Sequence, residues 1–134
     1  MIKYLLDTNI CIYIMNRRPI EIIHKFKQFN VGEIGISTIT VSELQYGAVK
    51  SDNPKLNVQR VEEFLVPLEL IPYDLNAANF YGEIRYNLEK RGQVIGPLDM
   101  LIAAHALSNH IILVTNNEKE FQRVNNLRIE NWIK

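Results

Sequence analysis

The chain has 134 residues, 47% hydrophobic and 22% charged, with 15 lysines and arginines balancing 15 aspartates and glutamates. Such a length and balance describe one folded domain with its own core, and a single cysteine excludes a disulfide framework and fits a reducing cytoplasm. No apolar run approaches a membrane span and no charged-then-apolar leader opens the chain, while zero formal net charge leaves any polyanionic partner to local cations.

The first apolar run, Ile2 to Leu6, is too short for a helix and rich in strand formers, as a buried parallel strand is. It stops at Asp7-Thr8-Asn9, small polar residues that favour turns and helix caps. Ile10 to Met15 reads as a helix, ended by Asn16-Arg17-Arg18-Pro19. Pro19 then fits the first turn of a second helix, with Ile20, Ile23, Phe26 and Phe29 on one face. Arg17, Arg18, Lys25 and Lys27 make this region locally basic.

Ile34-Gly35-Ile36 predicts a second strand, and Ser37 or Thr38 can cap a helix reaching about Lys50 that carries Glu43. Gly47 within it costs about 1 kcal/mol against Ala, so a close packing contact is expected there. After a loop at Ser51 to Pro54, Val58, Val61, Phe64 and Leu65 recur at helical spacing. Leu68 to Pro72 predicts a third strand. A long helix from Asp74 has the stripe Ala77, Phe80, Tyr81, Ile84 and Leu88, closed by Lys90-Arg91-Gly92. Beyond the break at Ile95-Gly96-Pro97, Leu98 to Leu107 is apolar almost all round and so buried. Ile111 to Val114 is a central strand, Glu118 to Val124 a short helix, and Leu127 to Ile129 an edge strand near Trp132. Alternating strands and helices indicate an α/β fold with a parallel sheet covered on both faces.

Strand ends of a parallel sheet share one edge, so Leu6-Asp7-Thr8-Asn9 and Val114-Thr115-Asn116-Asn117 should open into one crevice. Asp99, in the first turn of the buried helix, can face the same way; taken alone it could simply favour the helix dipole. Asp7 alone could be only a cap, and Glu43 alone only a solvated helical residue. Gathered together, these carboxylates repel one another unless a cation intervenes, and Mg²⁺ takes hard oxygen ligands of this kind. Cys11 reads as a small buried hydrophobe, and His24, His105 and His110 lack the spacing of zinc ligands. Tyr46, Phe80, Tyr81, Tyr86 and Trp132 read as core or interface residues.

Leu6-Asp7-Thr8-Asn9, Ser42-Glu43-Leu44-Gln45-Tyr46-Gly47-Ala48, the stretch Ile95 to Ala106 and Leu113 to Asn117 followed by Glu120-Phe121 together resemble the PIN-domain ribonucleases. More narrowly they resemble the VapC toxins of bacterial type II toxin–antitoxin modules. The resemblance implies a single PIN domain over residues 1–134, with a central parallel sheet of about five strands between helices. It implies Mg²⁺- or Mn²⁺-dependent endoribonuclease activity, on tRNA or rRNA, that inhibits translation and growth. It also implies a homodimer and a cognate VapB antitoxin. Asp7, Glu43 and Asp99 fall on the family's acidic positions, with Asp7 and Asp99 as metal ligands. Where the family often has a fourth acid this chain has Asn117, with Glu120 as a second candidate. Thr8, Asn9 and Thr115 are expected to hydrogen-bond around the site and its substrate. Arg17, Arg18, Lys25, Arg85, Lys90 and Arg91 are candidate RNA contacts.

Two other readings use the same residues. A phosphoaspartate phosphatase expects a second Asp at position nine, where Asn9 stands, and a receiver domain expects a Lys after a late strand, which Thr115-Asn116-Asn117 lacks. A catalytically silent PIN-like binding module would not need acids at positions 7, 43 and 99.

Overall fold

β1 (Tyr4–Leu6) occupies the middle of a five-stranded, all-parallel sheet of order β3-β2-β1-β4-β5. The computed structural model describes residues 1–133. On one side of β1 lie β2 (Ile34–Ser37) and β3 (Glu69–Ile71); on the other lie β4 (Ile112–Val114) and β5 (Ile129–Glu130). Tyr4 pairs with both Ile34 and Ile112, and Leu6 with Val114. The helices between them are α1 (Thr8–Asn16), α2 (Ile20–Phe26), α3 (Thr38–Val49), α4 (Pro54–Leu65), α5 (Leu75–Lys90), α6 (Pro97–Ser108) and α7 (Glu118–Phe121), with a 3₁₀ turn at Val31–Glu33.

Strand alternation divides the core into two layers. Leu6, Ile34, Ile36 and Val114 face α1 to α4, where Ile10, Ile14, Ile22, Leu44 and Val61 are buried. Leu5 and Leu113 face the opposite layer, built by Ile84 and Leu88 of α5, Met100, Ile102, Ala103 and Ala106 of α6, and Phe121. Both faces of the sheet are therefore covered, as a parallel sheet requires. The predicted α5 stripe is observed: Ala77, Ile84 and Leu88 are buried, with Phe80 and Tyr81 packed against them. Cys11 is fully buried, and Trp132 packs with Tyr4 and Phe29 in a ring cluster.

Two sequence expectations fail for local reasons. In α2, Pro19 precedes the helix rather than entering it, so the buried face carries Ile22 and Ile23 while Ile20 is exposed. Phe29 lies beyond the end of α2 yet still reaches the core. Gly47 has no close packing contact: a Cβ there would meet nothing within 4 Å. It lines a cleft of ≈ 240 Å³ between α1, α3 and α4, beside Ile12, Met15 and Leu44.

A methyl group at position 47 costs no space and removes glycine's excess chain entropy. Gly47→Ala should therefore stabilise the fold by about 0.5–1 kcal/mol, read as a higher denaturant midpoint at an unchanged slope. A loss of stability would instead mean that the backbone needs glycine there.

Candidate active site

Leu6↔Val114 is the last pairing of β1 with β4, and one residue beyond it the chain places Asp7 beside Thr115. The Asp7 N–H continues the ladder to the Val114 carbonyl (2.9 Å), and Thr115 N–H does the same to the Glu130 carbonyl (2.9 Å). The Asp7 side chain is buried, 6% exposed, and so must be satisfied by the protein. Oδ1 accepts from the Thr8 N–H at the start of α1, and Oδ2 accepts from the Thr115 hydroxyl, both at 2.8 Å. The carboxylate thus caps α1 and faces β4 at once. The capping and site readings are not alternatives.

Two threonines extend this contact outward. The Thr8 hydroxyl donates to Glu43 Oε1 at 2.8 Å, drawing α3 to the end of β1. The Thr115 hydroxyl accepts the Asn117 N–H at 3.0 Å, which fixes the turn into α7. Asn117 Nδ2 then donates to Glu120 Oε2 at 3.2 Å. Asn9 is exposed in the first turn of α1, and among the described residues no side-chain hydrogen bond ties it to the acids. Glu118 Oε2 accepts from Asn131 Nδ2 at 3.2 Å.

Asp99 enters from α6. Gly96 and Pro97 start this helix without a side-chain cap, Pro97 supplying the φ that a first turn needs, and place Asp99 in that turn. Its carboxyl is pushed from 3.8 up to about 6, first by burial, then by the negative charges of Asp7, Glu120 and Glu43 and a hydrogen bond with Glu120. Asp7 is also raised, by burial above all and slightly by Glu43, against the lowering effect of its Thr115 and Thr8 bonds. Asp99 thus feels the charges of Asp7, Glu120 and Glu43, and Asp7 that of Glu43, as neighbouring carboxylates do. Glu120, one turn beyond Asn117, hydrogen-bonds with Asp99 and accepts from the Asn117 amide.

Among the described residues, no three His, Cys, Asp or Glu side chains are arranged to grip one ion as they stand. Both Asp7 oxygens and one Glu43 oxygen accept bonds from hydroxyl or amide donors, and each retains a further lone pair. The donor set is nonetheless all hard oxygen and strongly anionic, which suits Mg²⁺ or Mn²⁺ and no soft metal. A separate cavity of ≈ 470 Å³, lined by Phe80, Ile84, Leu107, Ile111, Asn126 and Arg128 among others, lies at the starts of β4 and β5, the opposite ends of those strands from Thr115.

The PIN domain family matches residues 4–127. Ribonuclease VapC2 of Haemophilus influenzae is 50% identical over 133 residues, spanning 99% of this chain and 100% of that protein. The tRNA(fMet)-specific endonuclease VapC of Shigella flexneri is 43% identical over 132 residues, spanning 98% of this chain and 99% of that one. In the crystal structure of DNA-bound VapBC from Salmonella typhimurium, a chain 44% identical superposes with a TM-score of 0.93, over 98% of this chain and 99% of that chain. With fold, acidic cluster and whole-length identity in agreement, the chain belongs to the PIN-domain family, within its VapC ribonucleases.

Proposed function

We propose that this chain is the toxin of a VapB–VapC pair, a Mg²⁺- or Mn²⁺-dependent endoribonuclease that cuts tRNA and so inhibits translation and growth in the cytoplasm. The observation that carries the reading is the gathering of Asp7, Glu43, Asp99 and Glu120 from four different elements at one end of the central strands. The Shigella relative, a tRNA(fMet)-specific endonuclease, supports a tRNA substrate. The VapBC complexes from Salmonella typhimurium and Rickettsia felis support a VapB antitoxin as partner. A homodimer follows from the family resemblance.

Asp7 and Asp99 would hold the ion, with Glu43, Glu120 and the Asn117 amide around it. When bound, a divalent cation supplies positive charge that offsets the carboxylates and stabilises a phosphodiester under attack by water. The protein's part is orientation. Thr8 and Thr115 fix Asp7 and Glu43 by hydrogen bonds and leave neither carboxylate free to turn. Glu43 Oε2, outside the bond to Thr8, can take a proton from the attacking water.

Without the ion, crowding should appear as a pH effect on stability. Asp99's folded-state value lies above its ordinary one, so its protonated carboxyl stabilises the fold below about pH 4, and that stability is lost as pH rises through about 6. Solvent screens this half-exposed group, so the effect is moderate. In EDTA, the melting temperature of the parent should fall relative to that of Asp99→Asn by about 2–5 °C between about pH 5 and about pH 7.5. Parallel curves would mean that Asp99 does not feel its neighbours.

Asp7→Asn tests the chemistry itself. The amide keeps size and capping ability but removes a charge from the centre of the cluster. The variant should melt at least as high as the parent in EDTA, yet cleave RNA roughly 100-fold more slowly or worse in Mg²⁺, and lose toxicity when expressed without antitoxin. EDTA should silence the parent. Full cleavage by Asp7→Asn would remove Asp7 from the reaction.

A further inference from the structure

An acidic centre is a poor host for a polyanion, and a chain of zero formal net charge offers no general attraction. Cations must stand near the carboxylates without being neutralised by them. Among the described residues the ion pairs are Lys3–Glu33 (3.1 Å) and Arg85–Glu89 (3.2 Å). Arg85 has its charge offset by Glu89 and also donates to the Tyr81 hydroxyl (3.0 Å) on the surface of α5. Arg17, Arg18 and Lys25 sit at the end of α1 and on α2, where Lys25 lies over the Phe29 ring.

Neutral groups hold Arg91 and Arg123, as they hold Arg60 and Arg128, but of the four only Arg91 and Arg123 lie on the segments that adjoin Asp99 and Glu120 in the chain. Arg91 Nε donates to Asn87 Oδ1 (2.9 Å), Nη1 to Gln93 Oε1 (2.7 Å) and Nη2 to the Arg123 carbonyl (2.5 Å). Arg123 Nη1 donates to the Val94 carbonyl (3.2 Å). The two side chains therefore cross-link the loop 91–96, which leads into α6 and Asp99, to the residues just after α7, which carries Glu120. The linked segments adjoin the site along the chain, one leading into the helix of Asp99 and the other following the helix of Glu120. A Cβ at Gly96 would stand 3.5 Å from Asp99 Oδ2, and the Arg123 N–H donates to the Glu120 carbonyl at 3.1 Å.

A guanidinium fixed in this way keeps its full charge and has already lost side-chain freedom. Arg123, bonded through Nη1 alone, leaves Nε and Nη2 as the planar fork that matches phosphate oxygens, and Arg91 keeps one further N–H on each terminal nitrogen. Arg91 is exposed and Arg123 half-buried, so both remain open to a ligand. We propose that Arg91 and Arg123 form a two-guanidinium clamp for RNA backbone phosphates beside the acidic centre, on its α6–α7 rim. The proposal rests on the ribonuclease reading above and names the part of that site which holds the substrate chain. Sequence alone singles out Arg91 and overlooks Arg123, because backbone carbonyls position it and no motif records them.

The experiment is a binding titration of fluorescently labelled bulk tRNA in EDTA, across a series of salt concentrations. It compares the parent with Arg91→Gln, Arg123→Gln and the surface control Arg85→Gln. Removing one arginine–phosphate interaction should flatten the slope of log affinity against log salt by about 0.7–0.9, so each clamp variant should show that change while Arg85→Gln keeps the parent slope. On the unmutated chain, bound tRNA should shield Arg91 and Arg123 from modification by phenylglyoxal. If the pair only staples the loop to α7, the glutamine variants melt lower but keep the parent slope, and modification is the same with and without tRNA; either result overturns the clamp. Mg²⁺-dependent cleavage by the parent, measured alongside, separates the two levels. Cleavage with unchanged slopes defeats the clamp alone, whereas a parent that neither binds nor cleaves RNA defeats the ribonuclease reading and the clamp with it.

Discussion

The buried carboxylate of Asp7 is the constraint around which the site is assembled. It lies one residue past the final β1–β4 pair, so the parallel register that satisfies the backbone also sets Asp7 against Thr115. Burial makes an ionised carboxylate expensive unless donors reach both oxygens. Here one donor is the first amide of α1 and the other a hydroxyl from the neighbouring strand end. Removing either would leave part of a charge unsatisfied in the core. Strand pairing, helix capping and the chemistry of the site are therefore one set of contacts.

A second buried polar contact holds together the helices that bring Glu43 and Asp99. His105, fully buried in α6, meets Ser37 Oγ through Nδ1 at 2.8 Å, and the same Oγ accepts the Ile39 N–H to cap α3. The Tyr73 ring stands edge-on to the imidazole. Burial lowers the His105 pKa, favouring the neutral ring, against the raising effects of Asp74 and the Pro72 backbone. A residue that reads in the sequence as neither ligand nor catalyst thus joins α6 to the cap of α3. Apolar packing fixes how deep α6 lies, but a directional bond fixes how it is turned, and Asp99 lies six residues along the same rigid helix.

Much of this is legible in the amino-acid sequence. Alternating strand and helix signals, the polar stops after Leu6 and Val114, and the buried stripes of α5 and α6 all follow from period and burial, and the structure keeps them. What stays hidden depends on partners remote in the chain. Spacing does not decide whether Asn117 or Glu120 completes the acidic set; that turns on the Thr115 hydroxyl, which fixes Asn117 and through it Glu120. Gly47 misleads because a glycine in a helix signals close packing only when something stands opposite, and here a cleft does. On α2 the expected Ile23 and Phe26 do reach the core, but Ile20, the first residue of the helix, is exposed and Ile22 is buried beside Ile23.

Charge is also partitioned by depth, and this has a consequence for how the site meets RNA. Asp7 lies almost without solvent at the end of β1, Glu43, Asp99 and Glu120 are half-buried on α3, α6 and α7, and Arg123 is half-buried and Arg91 exposed on the surrounding segments. Salt screens exposed charges strongly and buried ones far less. Rising ionic strength therefore weakens an outer hold on phosphate before it relieves the inner crowding of carboxylates. A chain with no net charge can in this way draw a polyanion to its rim while its centre stays hostile to it, unless positive charge enters between the carboxylates. Attraction and reactivity are then governed by different residues, the arginines of the rim and the acids at the strand ends, and a substitution can abolish one while sparing the other.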